Sequence, residues 1–287
     1  MDYFFIHWQN FLYGKSIGDV FCSLLYLSQK IKENKISLLT HESLVPFIKY
    51  IFPDLIDEFI FHPDTEYQMT LPILKNDIRY MYYSNDFYIN LSNNITRFHR
   101  IQQPFCNLHN IINRELNLKM DDNLLNNNND KLIPNNSILL ILNRSDQTLL
   151  NEDIIETIFK KCSNRKVYIR NVVDNSIYKK SYIKHQNILS YEENLMCLIE
   201  SCMKKDIKII MNRCGLVDAL GYISKIPIFI IFPDARLKDF NFSIHKENKF
   251  LNDSMNPNIT EYFINNDNSN KFSIHDLEKK LDLFLNK

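Results

Sequence analysis

The sequence predicts an α/β fold made of two parallel-sheet domains that face each other across a cleft. Three observations predict it. Short apolar runs of strand length alternate with stretches of helical periodicity in both halves. An asparagine-rich stretch separates the halves. The 287 residues also suit two domains, each of about 140 residues.

The first half opens with an apolar strand, Tyr3 to Trp8. Residues 9–19 form a loop that carries Gly14 and Gly18. Val20 to Glu33 reads as a helix, because Val20, Leu24, Leu25, Leu27 and Ile31 fall on one face. Ile36 to Thr40 is a second strand. Leu44 to Phe52 returns to helical spacing and stops at Pro53. Asp57 to Phe61 is a third strand, and Asp86 to Leu91 a later strand of the same sheet. Phe98 to Leu116 reads as helical.

Residues 1–120 therefore form one Rossmann-like domain. Residues 121–136, with Asn126 to Asn129 and Pro134, read as the linker, since few of them can pack in a core. Residues 137–287 form the second Rossmann-like domain. Its strands are Ser137 to Leu142, Lys166 to Arg170, Ile207 to Met211 and Ile228 to Phe232. Its helices are Glu152 to Lys161, Glu192 to Met203, Leu216 to Ser224 and His275 to Asn286. Acidic residues open the first of these, as the helix dipole prefers.

Composition excludes several classes. The chain is 45% hydrophobic, enough for real cores. Its 34 basic and 34 acidic residues leave no net charge to attract nucleic acid. No apolar run approaches the roughly 18 residues of a membrane span. The start, MDYFFIHWQN, lacks the basic and apolar regions of a secretion signal. The six cysteines make no CxxC pair and no zinc spacing, so no metal is expected and the thiols read as reduced and buried.

Glycine placement is the sharpest signal. The chain has only four glycines, Gly14, Gly18, Gly215 and Gly221. All lie at two strand-to-helix junctions, where open parallel sheets bind ligands. Turn and packing chemistry is the plainer explanation for each one singly. The spacing of Gly14 and Gly18 fits neither GxGxxG nor a Walker loop, so dehydrogenases and P-loop kinases are disfavoured.

Around those glycines the sequence resembles the bacterial heptosyltransferases of glycosyltransferase family 9. The matching residues are Ser16-Ile17-Gly18-Asp19-Val20, Ile36 to Thr40 and Pro53-Asp54-Leu55-Ile56-Asp57-Glu58. Asp86 to Leu91 looks like the family's "D-x-x-I-D-L" strand. Asn212-Arg213-Cys214-Gly215 and Asp218 resemble its "N-D-[ST]-G…H" donor turn. Arg213, Cys214 and Asp218 depart from that pattern, and the lysine expected after the first C-terminal strand is absent.

The resemblance implies a GT-B fold and metal-independent, inverting sugar transfer without a cofactor. The substrate would be a nucleotide-diphosphate sugar, and the acceptor a glycan or glycolipid such as lipopolysaccharide core. Asp19 matches the family's catalytic base; its plainer role is to cap the helix that follows. Diphosphate would meet Arg144, Ser145, Asn212, Arg213, Cys214 and the helix start after Gly215. Tyr191 and Glu192 stand where the family contacts the nucleotide. Glu192 either binds a ribose hydroxyl or favours its helix start. Asp218 either holds a sugar hydroxyl or faces solvent. Lys15, Gly18, His7 and His99 would line the cleft or the acceptor side, with Lys15 helping at the diphosphate across the cleft, although His99 also fits an exposed helix face and His7 a core position.

The asparagine, isoleucine and lysine content suggests an AT-rich bacterial genome. A cytoplasmic enzyme, loosely held at the inner face of the inner membrane, is the expectation. Two alternatives stand beside it. Polysaccharide pyruvyl transferases share a Gly-Asp loop, but their Arg-x-His motif is absent from the C-terminal half. A degenerate, non-catalytic glycan- or partner-binding protein would explain the altered donor turn.

Overall fold

The computed structural model describes residues 3–6, 21, 24, 28, 36–40, 42–61, 80–83, 98–100, 120–125, 129–142, 150–170, 185, 188–191, 193–212, 220, 224–232, 258–264 and 273–287. The chain divides into two compact units, Met1–Leu125 and Asn126–Lys287.

Unit 1 holds five strands: β1 (Tyr3–Ile6), β2 (Ile36–Thr40), β3 (Glu58–Phe61), β4 (Tyr80–Tyr83) and β5 (Phe98–Arg100). They pair in the order β3-β2-β1-β4-β5, all parallel. The first strand is central and the chain winds outward on both sides, the doubly wound arrangement. Helix α1 (Val45–Ile51) follows the turn Glu42–Leu44 and carries a proline in its first turn, where no N–H is missed. It buries Phe47, Ile48, Tyr50 and Ile51. The ring of Phe52, just past its end, packs 6.1 Å from Phe21, which is itself helical and buried. Asp57 clamps the start of β2: its carboxylate accepts from the Ile36 N–H at 2.7 Å, and its own N–H donates to the Ile36 carbonyl.

Two expectations for this unit change. Phe98–Arg100 is an edge strand, not the start of a helix, because Phe98, His99 and Arg100 pair with Met81, Tyr82 and Tyr83. His99 therefore stands on a strand rather than on a helix face. The strand beside β1 is Tyr80–Tyr83, which the sequence reading passed over; Asp86 to Leu91 lies outside the described residues.

Unit 2 holds six parallel strands: β6 (Ser137–Ile141), β7 (Lys166–Ile169), β8 (Ile188–Ser190), β9 (Ile207–Asn212), β10 (Ile228–Phe232) and β11 (Ile259–Phe263). Their order is β11-β10-β9-β6-β7-β8, again with the first strand inside and the winding reversed about it. All five residues of β6 are buried. That burial on both faces explains the unbroken apolar run Ile138 to Leu142.

One face of this sheet packs against α2 (Glu152–Cys162) and α4 (Ile274–Leu285). Ile138, Leu140, Val167, Ile210, Phe229 and Ile231 meet Ile155, Phe159, Leu277, Leu281 and Phe284 in one cluster. α3 (Leu195–Lys204) links β8 back to β9. That crossover runs opposite to the β6–α2–β7 crossover, so right-handedness places α3 on the other face. These three helices are each capped by a side chain from just before them: Asn151 for α2, Asn194 for α3 and Ser273 for α4. The helix expected from Glu192 thus begins at Leu195.

The stretch read as linker divides between the units. Asp121 donates its N–H to the Tyr50 carbonyl in unit 1. In unit 2, Ile133 is fully buried and donates its N–H to Ser201 Oγ on α3. Leu125 and Leu132 are buried as well, so this stretch supplies core residues despite its asparagines.

Candidate functional site

Strands β6 and β9 are neighbours in the sheet although β7 and β8 lie between them in sequence. The chain leaving β6 goes to one side and the chain leaving β9 to the other. This is the topological switch point, where open α/β sheets leave a crevice beyond the carboxyl ends. Both expected donor loops, 143–148 and 213–215, depart from it.

Asn212 closes that point. Backbone pairing of β6 and β9 runs to Ile141 opposite Met211. One residue further, the Asn212 side chain takes over: its Nδ2 donates to the Leu142 carbonyl at 3.3 Å. Asn212 has no exposed surface. By strand alternation it shares the face of Ile210, the face covered by α2 and α4. A buried amide serves here where an apolar residue would leave the ladder open one step earlier.

A second group gathers at the carboxyl ends of β7 and β8. Arg170 follows β7, and its N–H continues the ladder to the Leu140 carbonyl at 2.9 Å. Its Nη1 donates to the Glu193 carbonyl at 2.6 Å, and its guanidinium lies 5.8 Å from the centre of the Tyr191 ring. Tyr191 follows β8 and is 5% exposed. Its ring meets Tyr168 edge-on, and its hydroxyl donates to the Lys131 carbonyl at 3.3 Å. Burial pushes the Tyr191 phenol up to about 12, so it stays protonated and donating near neutral pH. Lys131 in turn pairs with Glu193 at 3.6 Å. The segment entering α3 is thus pinned on both sides of position 192.

Of the residues singled out from sequence, Tyr191 and Asn212 stand at this carboxyl edge. Both are buried, and both hold their neighbours in place through the bonds just described. Asp19, Lys15, Gly18, His7, Arg144, Ser145, Glu192, Arg213, Cys214, Gly215 and Asp218 lie outside the described residues. Arg170 was missed. Its signal was its place, the last residue of the expected strand Lys166 to Arg170. Among the described residues no group of three His, Cys, Asp or Glu could hold a metal ion, and no helix is long and apolar enough to cross a membrane.

No protein-family profile and no curated protein sequence matches the chain. Solved structures do. Escherichia coli ADP-heptose LPS heptosyltransferase II superposes with a TM-score of 0.61 at 9% identity, covering 99% of this chain and 98% of that one. A glycosyl transferase family 9 protein from Veillonella parvula gives 0.61 at 9% identity, covering 99% and 97%. E. coli heptosyltransferase WaaC with ADP gives 0.55 at 8% identity, again covering 99% and 97%.

The chain has the GT-B fold. The likeness runs over essentially the full length of both partners, so both halves of the GT-B plan are present. It is a likeness to family 9 heptosyltransferases in architecture, at 8–9% identity. Within this GT-B chain, Asn212 and Arg170 stand at the carboxyl edge of the unit 2 sheet.

Proposed function

We propose that this protein is a glycosyltransferase, moving a sugar from a nucleoside-diphosphate sugar to a hydroxyl of a bacterial surface glycan or glycolipid. The observation that carries the reading is the full-length GT-B likeness to heptosyltransferases. One of those proteins is named for ADP-heptose and LPS, and another was solved with ADP. A heptose or related sugar, and lipopolysaccharide core, are the corresponding donor and acceptor here.

In this reading the donor lies at the carboxyl edge of unit 2. Asn212 keeps β6 and β9 in register, so that Arg144 and Ser145 on one loop and Arg213 and Gly215 on the other approach the same diphosphate. Tyr191 and Arg170 fix the segment that carries Glu192 towards the ribose. Asp19 takes the proton from the acceptor hydroxyl. The oxygen then attacks the anomeric carbon as its bond to the diphosphate breaks, inverting that centre. Cations and a helix amino end receive the leaving charge, with no metal needed. The protein works in the cytoplasm, at the inner face of the inner membrane.

The test is a thermal-shift series of the purified protein with ADP, UDP, GDP, CDP and CMP, repeated with EDTA. One nucleoside diphosphate should raise the melting temperature equally with and without chelator. Asp19→Asn should keep that shift and lose turnover. No shift with any of the five would overturn the reading. The altered residues Arg213, Cys214 and Asp218 favour one second reading, a protein that binds a glycan or partner without catalysis; nucleotide binding by the natural chain with no transfer to any acceptor would select it.

A further inference from the structure

We propose that the amino-terminal edge of the unit 2 sheet, at the end opposite the donor loops, holds a binding site for a phosphate group. A cavity of about 370 Å³ opens there, beside the first residues of β6, β9 and β10. That volume falls within the ordinary range of small-molecule pockets, about 300–1,000 Å³. It has room for a phosphate with a sugar-sized group attached. Strands of this length put it about 17–20 Å from the carboxyl edge, so it is separate from the donor site.

Charge and hydrogen bonding define the ligand. Three cationic side chains, Arg165, Lys208 and Lys287, line the cavity against one carboxylate, Asp206. Among the described residues neither Arg165 nor Lys208 forms an ion pair with a carboxylate. Both are held instead by the end of α4. Lys208 Nζ donates to the Leu285 carbonyl at 2.8 Å and the Phe284 carbonyl at 3.3 Å. Arg165 Nη2 donates to the Leu285 carbonyl at 2.7 Å. These bonds use two of the three ammonium hydrogens and one arm of the guanidinium, and they hold both cations at a common point. The remaining donors are available to an anion.

Two further observations agree. Ser137, the first residue of β6, lines the cavity, and its buried Oγ has no hydrogen-bond partner. Lys208 is held below the ordinary lysine range, first by burial and then by the Arg165 charge beside it. Asp206 offsets only part of this charge, and two cations crowded together against one carboxylate are a cost that a bound oxyanion removes. Capping of the α4 carbonyls alone would use one cation; the second, the cavity and the idle hydroxyl call for a ligand.

The experiment is calorimetric titration of the full chain with inorganic phosphate at low ionic strength. Saturable one-to-one binding is expected. Arg165→Gln and Lys208→Gln keep an amide donor for the α4 carbonyls but lose the charge; each should weaken binding by about tenfold or more. Ser137→Ala, which removes no existing hydrogen bond, should weaken it by a smaller factor. Lys161→Gln, on the outer surface, should leave it unchanged. A sugar phosphate that binds more tightly than inorganic phosphate marks a soluble ester as the source. Sedimentation with phosphatidylglycerol vesicles, lost in Arg165→Gln, marks a lipid headgroup. No saturable binding by the natural protein, or binding that survives Arg165→Gln, Lys208→Gln and Ser137→Ala alike, overturns the proposal. Nucleotide binding at the opposite edge is untouched by these variants, so this outcome is independent of the transferase reading.

Discussion

Asn212 and Leu142 meet where the β6–β9 ladder ends, joined by an amide-to-carbonyl bond of 3.3 Å between residues that are both buried. This bond fixes the separation of the two loops that the transferase reading assigns to the donor. Asn212→Ala should cost about 1–3 kcal/mol, the usual loss for a buried polar contact. In a unit of this size that lowers the melting temperature by about 2–4 °C per kcal/mol. Asn212→Asp should cost more than Asn212→Ala, because a carboxylate oxygen would face the Leu142 carbonyl. Thermal unfolding of the three proteins ranks them; a variant as stable as the natural chain would remove Asn212 from this role.

Arg170 is expected to affect nucleotide binding without touching the nucleotide. Its bond to the Glu193 carbonyl and its place over Tyr191 hold the approach to α3. Arg170→Ala should weaken the nucleotide that binds the natural chain and leave turnover at saturating donor nearly unchanged. Arg170→Lys should restore part of the affinity, since an ammonium can still donate to one carbonyl but cannot lie flat on the ring. Donor titrations of the three proteins decide it. Equal loss of maximal turnover in both variants would mean that Arg170 acts on the chemistry instead.

Much of unit 2 was legible because its strands are buried on both faces. Ser137 to Leu142, Ile207 to Met211 and Ile228 to Phe232 are apolar runs with no other reading, and the structure adds or drops one residue at most. The strands that were missed lie mostly away from the sheet centres and have mixed composition. β8 is Ile188-Leu189-Ser190, with Leu189 exposed, and β11 is Ile259-Thr260-Glu261-Tyr262-Phe263. β5 has three residues, one of them histidine, and its strand character comes only from pairing with β4. β4 itself, Tyr80-Met81-Tyr82-Tyr83, carried a usable signal in its aromatic residues. At the candidate site, the motif singled out Asn212 as a diphosphate contact, while its bond to the Leu142 carbonyl depends on the pairing of β6 with β9 and had no signal in the sequence. Arg170 was not, because its role depends on Tyr191 and Glu193, which reach it only through the pairing of β7 with β8.

Leu281 and Asp282 are adjacent on α4 and should differ sharply. Leu281 is fully buried in the cluster between α2, α4 and the sheet. Leu281→Ala should cost about 2–5 kcal/mol through lost burial and a cavity. Asp282 bonds Lys161 at 2.6 Å, but half of its side chain is exposed. Asp282→Ala should leave the melting temperature unchanged within error, as exposed pairs usually do. A large effect of Asp282→Ala in low salt that vanishes in high salt would show instead that the pair holds α2 to α4.

Alkaline instability should appear before any acid effect from these same groups. Burial pushes the Cys162 and Cys202 thiols from 9.0 up to about 12. It pushes the Tyr50, Tyr191 and Tyr262 phenols from 10.0 up to about 12, with Asp122 adding to the effect at Tyr50. Above pH 9.0 for the thiols and 10.0 for the phenols, the unfolded chain has released protons that the folded chain still holds. The unfolded state then binds fewer protons, so stability falls as pH rises towards 12. Below pH 9.0 these five groups contribute their full share, and lowering the pH further changes nothing through them. Melting temperatures across this range, read beside tyrosinate absorbance, should fall together with the appearance of phenolate. Iodoacetamide at pH 8 should leave Cys162 and Cys202 unmodified in the folded chain and label both in denaturant. Labelling of Cys202 at the rate of a free thiol would mean that α3 opens locally, and that part of the alkaline loss belongs to that opening rather than to titration.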